Sequence, residues 1–356
     1  MNIKLINGEI AELLENEKFK LLRSENYNYI FHKDNGFFAR WGKTEEDDGD
    51  IDQSLPEIID MEISTVCHGI DKPCKFCYKS NTSHGEYMTF DIFKNIFHKL
   101  PPTITQLAAG IGDIDGNPDV WKIFEYCRDN GVVPNITING ARMTPEHFDN
   151  LAKYCGAVAV SVYDKELTYN AIQELTSRGM SQVNIHFMLA NETYDKAFEV
   201  MTDIKTDPRL AKLNAMVFLS LKTKGNAKSG YNQLSQERFN HIVDYAFAKE
   251  ISIGFDSCSS QKFFTFLDGN KEFTEDFKKN MYQCVEKCEA SCYSSYINVR
   301  GIYFPCSFCE CVDGWEDGIN VLNCNDFLQD VWFNEKTLKF KNKLISCDRN
   351  CPIYTI

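Results

Sequence analysis

The chain has 356 residues, of which 43% are hydrophobic and 25% charged, a composition typical of a globular protein and not of a disordered or fibrous one. This length accommodates one large α/β domain with an appended module, or two to three ordinary domains. A formal net charge of -13 disfavours nucleic acid as a partner, because such a surface is not built to neutralise phosphates.

The N-terminal sequence and the cysteine content predict the cellular compartment of the protein. The first 20 residues carry charges throughout and lack the apolar segment of a secretory signal. No stretch approaches the roughly 18 uncharged apolar residues that span a bilayer, so we expect no membrane partner. We therefore expect a cytoplasmic protein, in which 15 cysteines indicate metal or cluster ligation rather than disulfides.

The N-terminal segment, residues 1–56, is predicted to form a small β-rich cap. Apolar and polar positions alternate over residues 18–42 around Asp34-Asn35-Gly36, a pattern typical of a β-hairpin. The acidic run from Glu45 to Asp52 is predicted to be a solvated loop.

Residues 57–250 alternate short apolar runs with longer helical patterns, which predicts repeated βα units and a parallel sheet. Right-handed crossovers would wind six units into a partial (β/α)6 TIM-like barrel, with the loops that follow the strands gathered at one end. A possible seventh strand covers residues 251–256. The six predicted strands cover residues 58–66, 105–112, 134–140, 157–163, 183–189 and 214–222.

The first predicted strand leads into a cysteine-rich loop with the pattern Cys67-x6-Cys74-x2-Cys77. Three thiolates on one loop can bind three irons of a cubane cluster and leave the fourth iron without a protein ligand. Zinc is the alternative, with His68 or His84 as a fourth ligand. The loop stands where a barrel places its active site, which favours the cluster.

These residues resemble the radical S-adenosylmethionine superfamily, in which a strand feeds a loop that ends in CxxC and an aromatic residue. The usual spacing there is CxxxCxxC, whereas six residues separate Cys67 from Cys74. The segment from Gly110 to Asp113 resembles the GGE segment that holds the methionyl amino group, with Asp113 in place of glutamate. Ile138-Asn139-Gly140 resembles the turn near the ribose. The resemblance spans residues 57 to about 225.

The resemblance implies a 4Fe–4S cluster on Cys67, Cys74 and Cys77 with S-adenosylmethionine beside it. Glycines let the backbone approach a ligand closely, and a carboxylate suits an ammonium group. A histidine on an apolar strand is more often a core residue than a ligand contact. The residues expected to contact the cofactor are Phe76, Tyr78, Gly110, Gly112, Asp113, Asn139, Ser161 and His186.

Residues 251–356 form a predicted C-terminal module that holds most of the cysteines. The pattern Cys292-x8-Gly301-x4-Cys306 resembles the opening of the SPASM module or of its shorter relative, the twitch module, which carry auxiliary iron–sulfur clusters. A hairpin is expected at Arg300-Gly301. The resemblance implies one auxiliary 4Fe–4S cluster, and a structural zinc site is the alternative. The expected ligands are Cys288, Cys292, Cys306 and Cys351, with Cys284 and Cys347 in reserve.

Five further cysteines divide into two groups. Cys127 and Cys155 lie in amphipathic helical patterns and are expected to be buried apolar residues. Cys258, which follows the possible seventh strand, is expected to line the cavity. Cys309 and Cys311 are candidate hydrogen-atom donors near the substrate. The candidate catalytic residues are Cys258 and Cys309.

The function implied by the resemblance is reductive cleavage of S-adenosylmethionine to a 5′-deoxyadenosyl radical that abstracts a substrate hydrogen. Members with such C-terminal modules typically act on peptides or proteins, so we expect an oxidoreductase that crosslinks, oxidises or epimerises a peptide. A flavodoxin- or ferredoxin-like reductant is the expected partner. The alternatives are a radical enzyme that acts on a small metabolite or nucleoside, and a non-catalytic iron–sulfur or zinc protein.

Overall fold

A computed structural model describes residues 1–44, 49, 51–228, 230–312, 314–354 and 356. The acidic loop predicted from Glu45 to Asp52 lies largely outside these residues. None of the helices in the described ranges is long and apolar enough to cross a membrane.

The N-terminal residues form a five-stranded antiparallel sheet whose strands follow one another in chain order. A tight turn joins its last two strands, and Gly36 has a φ of +73°, a conformation that favours glycine. The predicted hairpin at Asp34-Asn35-Gly36 is therefore present. The strands are β1 (Asn2–Lys4), β2 (Ile10–Glu15), β3 (Phe19–Arg23), β4 (Asn28–His32) and β5 (Phe38–Trp41).

The second sheet begins with seven parallel strands that lie side by side in chain order, joined by helices. The predicted α/β class and mostly parallel sheet are confirmed, and the possible seventh strand is present. The elements are β6 (Ile58–Glu62), α1 (Phe90–Phe97), β7 (Gln106–Gly110), α2 (Val120–Asp129), β8 (Val133–Ile138), α3 (Pro145–Tyr154), β9 (Val158–Ser161), α4 (Lys165–Ser177), β10 (Val183–Leu189), α5 (Tyr194–Thr206), β11 (Ala215–Ser220), α6 (Gln236–Ala248) and β12 (Ile253–Phe255).

The two faces of the parallel sheet differ in burial. On β10, Ile185 and Phe187 are buried in the main core together with helix residues such as Phe124. The side chains between them alternate to the other face, where His186 is only half-buried. Asp60 on β6 is half-buried in the same alternating pattern. The strands therefore present a second face that is polar and partly accessible.

The C-terminal residues extend the parallel sheet beyond β6 to ten strands. The strand after α8 pairs in parallel with β6, and the next two strands add to it in antiparallel fashion. The predicted hairpin is present, with Gly301 at a φ of +77°. The elements are α7 (Ser260–Gly269), α8 (Glu275–Gln283), β13 (Ser294–Ile297), β14 (Ile302–Phe304), β15 (Ile319–Asn320) and α9 (Glu335–Ser346).

Candidate active site at the carboxyl ends of the parallel strands

The first cysteine loop follows β6, and its three thiols lie close to one another. Cys67, Cys74 and Cys77 are all half-buried. Burial, followed by the charges of the Cys77 and Cys67 thiols, raises the pKa of Cys74 to about 12. The three side chains that the sequence predicts as cluster ligands are thus near enough for their charges to interact.

Two glycines let neighbouring chain segments approach this loop. A Cβ atom on Gly112 would lie 2.4 Å from the Cβ of Cys67. A Cβ atom on Gly225, which has a φ of +59°, would lie 2.3 Å from the backbone oxygen of Tyr78. The next residue, Asn226, donates its backbone N–H to the Cys77 carbonyl at 2.9 Å. The ends of β7 and β11 are therefore pressed against the cysteine loop at positions where a larger residue does not fit.

Asp113 connects the cysteine loop to the loop after β8. Its carboxylate accepts hydrogen bonds from the His68 backbone N–H at 2.7 Å, from Asn139 Nδ2 at 2.9 Å and from Arg142 Nη2 at 2.6 Å. Burial alone would raise the pKa of Asp113, but the hydrogen bonds from His68 and Asn139 and the charge of Arg142 hold it below its ordinary value. The carboxylate expected to bind a methionyl ammonium is thus already engaged by groups of this chain.

The other expected cofactor contacts lie on the next strands. Gly110 ends β7, and Asn139, which follows β8, accepts a hydrogen bond from the Ala141 N–H at 2.9 Å. Ser161 on β9 pairs in register with His186 on β10. Burial lowers the pKa of His186 to about 4, an effect that the charge of Asp256 opposes, so the imidazole is neutral at pH 7.

The two aromatic residues of the cysteine loop point in different directions. The Phe76 ring lies 5.4 Å from the ring of Tyr163 and 5.3 Å from that of Tyr231. The Tyr78 hydroxyl instead donates to Ser307 Oγ at 3.2 Å, and its ring lies 4.4 Å from that of Phe308. Phe76 therefore stays among residues that follow the parallel strands, whereas Tyr78 contacts the C-terminal cysteine segment.

Lys79 forms a second connection between the two cysteine regions, which sequence analysis missed. Its ammonium group pairs with Glu62 at 3.1 Å and with Glu310, and it donates to the Tyr296 hydroxyl at 2.7 Å. The Glu310 carboxylate also accepts from Asn298 Nδ2 at 2.8 Å. The only signal in the sequence is that Lys79 follows Cys77 closely and that Glu310 lies between two cysteines.

The C-terminal cysteines divide into a group and several separate thiols. Burial, and then the charges of Cys306, Cys258 and Cys351, raise the pKa of Cys288 above its ordinary value, so these three thiols lie within charge-interaction range of Cys288. Cys309 Sγ lies 3.4 Å from Cys306 Sγ. Three of the four expected ligands are therefore among these interacting thiols, together with Cys258.

The fourth expected ligand, Cys292, lies elsewhere. Its charged neighbours are Lys341, Arg349, Glu289 and Arg40, and no thiol is among the groups that shift its pKa. Of the other C-terminal thiols, Cys284 and Cys311 are exposed, Cys324 is buried, and Cys347 Sγ contacts backbone carbonyls. Outside this region, Cys127 and Cys155 are buried as expected.

Neither of the two groups of thiols is arranged to bind a single metal ion. Across the described part of the chain, no three His, Cys, Asp or Glu side chains converge on one metal-ion position. The ligands of a cubane cluster need not converge in this way, because each thiolate binds a different iron. Both groups of thiols fit such a cluster by their chemistry, because thiolates are the ligands of iron–sulfur clusters.

Comparison with known proteins shows similarity in structure rather than in sequence. No protein-family model matches the chain, and no curated protein matches it. SuiB of Streptococcus suis, solved with its precursor peptide SuiA, has a TM-score of 0.67 at 14% identity over 91% of this chain and 89% of that one. SuiB with bound S-adenosylmethionine has a TM-score of 0.56 at 17% identity over 79% of this chain and 66% of that one.

A second similar structure is anSMEcpe with bound AdoMet and the Cp18Cys peptide. It has a TM-score of 0.57 at 12% identity over 80% of this chain and 82% of that one. The chain has the fold of radical S-adenosylmethionine enzymes. The resemblance predicted from the sequence is confirmed at this level, and the match to SuiB spans 91% of the chain.

Proposed function

We propose that this chain is a radical S-adenosylmethionine enzyme that modifies a peptide or protein. The observation that carries the proposal is the loop after β6, in which Cys67, Cys74 and Cys77 lie within charge-interaction range and Gly112 leaves no Cβ beside Cys67. We further propose that the parallel strands curve as a partial (β/α)6 barrel, with this loop at its mouth.

The chain's own residues would hold and orient the cofactors. Cys67, Cys74 and Cys77 would bind a 4Fe–4S cluster that leaves one iron open, which with S-adenosylmethionine supplies a 5′-deoxyadenosyl radical. Asp113 fixes the cysteine loop through the His68 N–H and is itself fixed by Arg142. This arrangement makes Asp113 chiefly a positioning residue, which also keeps negative charge near the site of a methionyl ammonium.

Ser161 and His186 would form the wall of the pocket beyond the glycines. Their strands pair in register, and the neutral imidazole of His186 lies 3.2 Å from Thr137 Oγ1 through its Nδ1 atom. The other ring nitrogen is then left to bind a polar group of the cofactor or the substrate. A neutral ring suits this role because it adds no positive charge beside a sulfonium.

Two observations support a peptide as the substrate. The solved structures of SuiB and anSMEcpe that share this fold contain peptides, and this chain spans most of both proteins. In addition, the second face of the sheet presents polar groups such as Asp60 and Thr137 that are half-buried and can pair with peptide groups. A flavodoxin- or ferredoxin-like protein is the proposed source of electrons.

The test is anaerobic reconstitution with iron and sulfide, followed by reduction with dithionite in the presence of S-adenosylmethionine. We expect 5′-deoxyadenosine from the native chain and none from the variant with Cys67, Cys74 and Cys77 all changed to Ala. The matched control changes the buried Cys127 and Cys155 to Ala and should retain cleavage. Continued cleavage by the triple variant would contradict the proposal.

The substrate class is tested separately by isotope transfer. Short peptides that carry one perdeuterated residue type at a time are incubated with the reduced enzyme, and the 5′-deoxyadenosine is analysed by mass spectrometry. Deuterium in this product from one residue type supports hydrogen abstraction from a peptide. Cleavage without deuterium transfer from any peptide, together with transfer from a deuterated small metabolite, would overturn the peptide assignment.

A further inference from the structure

We propose that the C-terminal cysteine site is a cluster site completed by Cys258, at the end of the parallel sheet, and that Cys292 is not a ligand. The proposed ligands are Cys258, Cys288, Cys306 and Cys351. This inference rests on the proposed function only in expecting an iron–sulfur cluster there. It assigns a ligand that directly follows the last strand of the parallel sheet, which the spacing of cysteines in the sequence does not indicate.

Two lysines hold Cys258 beside the segment that carries Cys306. Cys258 lies in the turn between β12 and α7. Lys222, which follows β11, pairs with Asp256 in this turn and lies 4.8 Å from the ring centre of Phe308. Lys224 donates to the Phe308 carbonyl at 3.3 Å. The end of the parallel sheet and the Cys306 segment are therefore joined by contacts on the Lys222 and Lys224 side chains.

Hydrogen bonds bring Cys288 and Cys351 to the same place. The Cys288 N–H donates to the Arg349 carbonyl at 3.3 Å, and Arg349 Nε donates to the Cys288 carbonyl at 2.9 Å. The Tyr354 N–H donates to Cys351 Sγ at 3.3 Å, while its hydroxyl donates to the Phe308 carbonyl at 3.3 Å. Phe308 is thus the common neighbour of the Cys258 turn and of the chain end that carries Cys351.

The surroundings of Cys292 exclude it from the proposed ligand set. It is fully buried, and its carbonyl accepts a hydrogen bond from Ser54 Oγ, which in turn accepts one from Lys341 Nζ at 3.0 Å. The Trp332 indole donates to the Ser54 carbonyl at 2.9 Å, so this part of the core is packed by a large aromatic residue. Cys292 therefore belongs to a region of the core away from the four grouped thiols.

Cys309 is the remaining thiol near the group. Its Sγ lies 3.4 Å from that of Cys306, and it is fully buried. Each ligand of a cubane cluster binds a different iron, so two thiols in direct contact do not both belong to the ligand set. Cys306 is the more exposed of the two, and Cys309 lies in the core. We therefore place Cys309 beside the ligand set and not in it.

The experiment uses the full chain with Cys67, Cys74 and Cys77 changed to Ala, so that only the C-terminal site can bind iron. In this background, Cys258→Ala, Cys292→Ala and Cys309→Ala are reconstituted anaerobically and analysed for iron, sulfide and the electron paramagnetic resonance of the reduced cluster. We expect about four irons per chain in the parent, since a cubane holds four. Cys258→Ala should reduce iron at least threefold or convert the spectrum to that of a three-iron cluster.

Cys292→Ala and Cys309→Ala should keep the iron content and spectrum of the parent. Circular dichroism of each apo variant separates loss of iron from loss of folding, and Cys292→Ser is a second variant with a similar side-chain volume. An unchanged cluster in Cys258→Ala, loss of iron from a folded Cys292 variant, or zinc in place of iron would overturn the proposal. Because the first site is absent, the result is independent of S-adenosylmethionine cleavage and of the proposed function.

Discussion

The ring of Tyr78, next to the predicted ligand Cys77, lies 4.4 Å from the ring of Phe308, which stands between Cys306 and Cys309. This contact joins residues more than 200 positions apart in the chain and brings the two cysteine regions together. The Tyr78 hydroxyl bonds to Ser307 next to Phe308, so both the ring and its polar end are fixed. The packing of these two rings therefore couples the two candidate cluster sites.

This coupling predicts a measurable interaction energy. Aromatic pairs at such distances contribute about 0.5–1.5 kcal/mol beyond their buried area. In a double-mutant cycle of Tyr78→Leu and Phe308→Leu, we expect a coupling free energy of unfolding in this range, measured by urea denaturation. Tyr78→Phe, which keeps the ring and removes only the hydroxyl, serves as the control. Strictly additive effects of the two leucine variants would show that the rings do not stabilise each other.

A second prediction concerns Lys79, the only cation that pairs with Glu62 and Glu310 among the ion pairs of the described residues. The three side chains are 18% exposed or less. Lys79→Met leaves two nearly buried carboxylates without this partner, and removal of one partner of a buried pair typically costs about 3–5 kcal/mol. We expect a loss of about 3 kcal/mol in the free energy of unfolding, measured by chemical denaturation.

The matched control for Lys79 is Arg300→Ala, which breaks the exposed pair between Arg300 and Glu86. Solvent and salt screen that pair, so its loss should leave the unfolding midpoint nearly unchanged. Similar midpoints for Lys79→Met and Arg300→Ala would contradict the structural role given to Lys79.

Much of the parallel sheet was predictable, because the signals for it are local. Each strand from β6 to β12 is a short apolar run, as at Val183–Leu189, and each is followed by turn residues and a helical pattern. The predicted chain order of strands then follows from the preference for adjacent, right-handed βα units. The hairpins at Gly36 and Gly301 were also predictable, because glycine favours the positive φ that both turns adopt.

The C-terminal arrangement was not predictable, because it depends on contacts between distant residues. Parallel pairing of β13 with β6 aligns Ser294 with Ile58, and no local pattern specifies that partner. Once β13 lies there, the Cys306 segment faces Tyr78 and the turn that carries Cys258. The spacing of cysteines in the sequence therefore does not indicate that Cys258 lies beside this segment.

A third prediction tests the close approach of β7 to the cysteine loop. Gly112→Ala would place a Cβ 2.4 Å from Cys67 Cβ and 2.4 Å from the Val66 carbonyl oxygen, so the cysteine loop must shift. We expect at least a twofold loss of iron at the first site and a parallel loss of 5′-deoxyadenosine formation. Gly269→Ala is the control, because its Cβ would meet nothing within 4 Å. Equal iron content in the two variants would show that the loop tolerates the displacement.

The last prediction concerns Asp60, which lies on β6 beside Ala108 and Tyr296 in the sheet register. Burial raises the pKa of its carboxyl group from 3.8 to about 6. A carboxyl group with a raised pKa in the folded state contributes stability that is complete below its unfolded pKa of about 4, and this stability is lost as the pH rises through about 6. At pH 7.5 the charged carboxylate therefore destabilises the fold.

Asp60→Asn removes that charge, so it should raise the free energy of unfolding at pH 7.5 by roughly 1–3 kcal/mol. This gain should shrink steadily as the pH is lowered from 6.5 to 5. Both effects are measured by urea denaturation. Asp317→Asn, at an exposed position, should show no such trend. A gain for Asp60→Asn that is independent of pH would mean that the effect comes from packing and not from the buried charge.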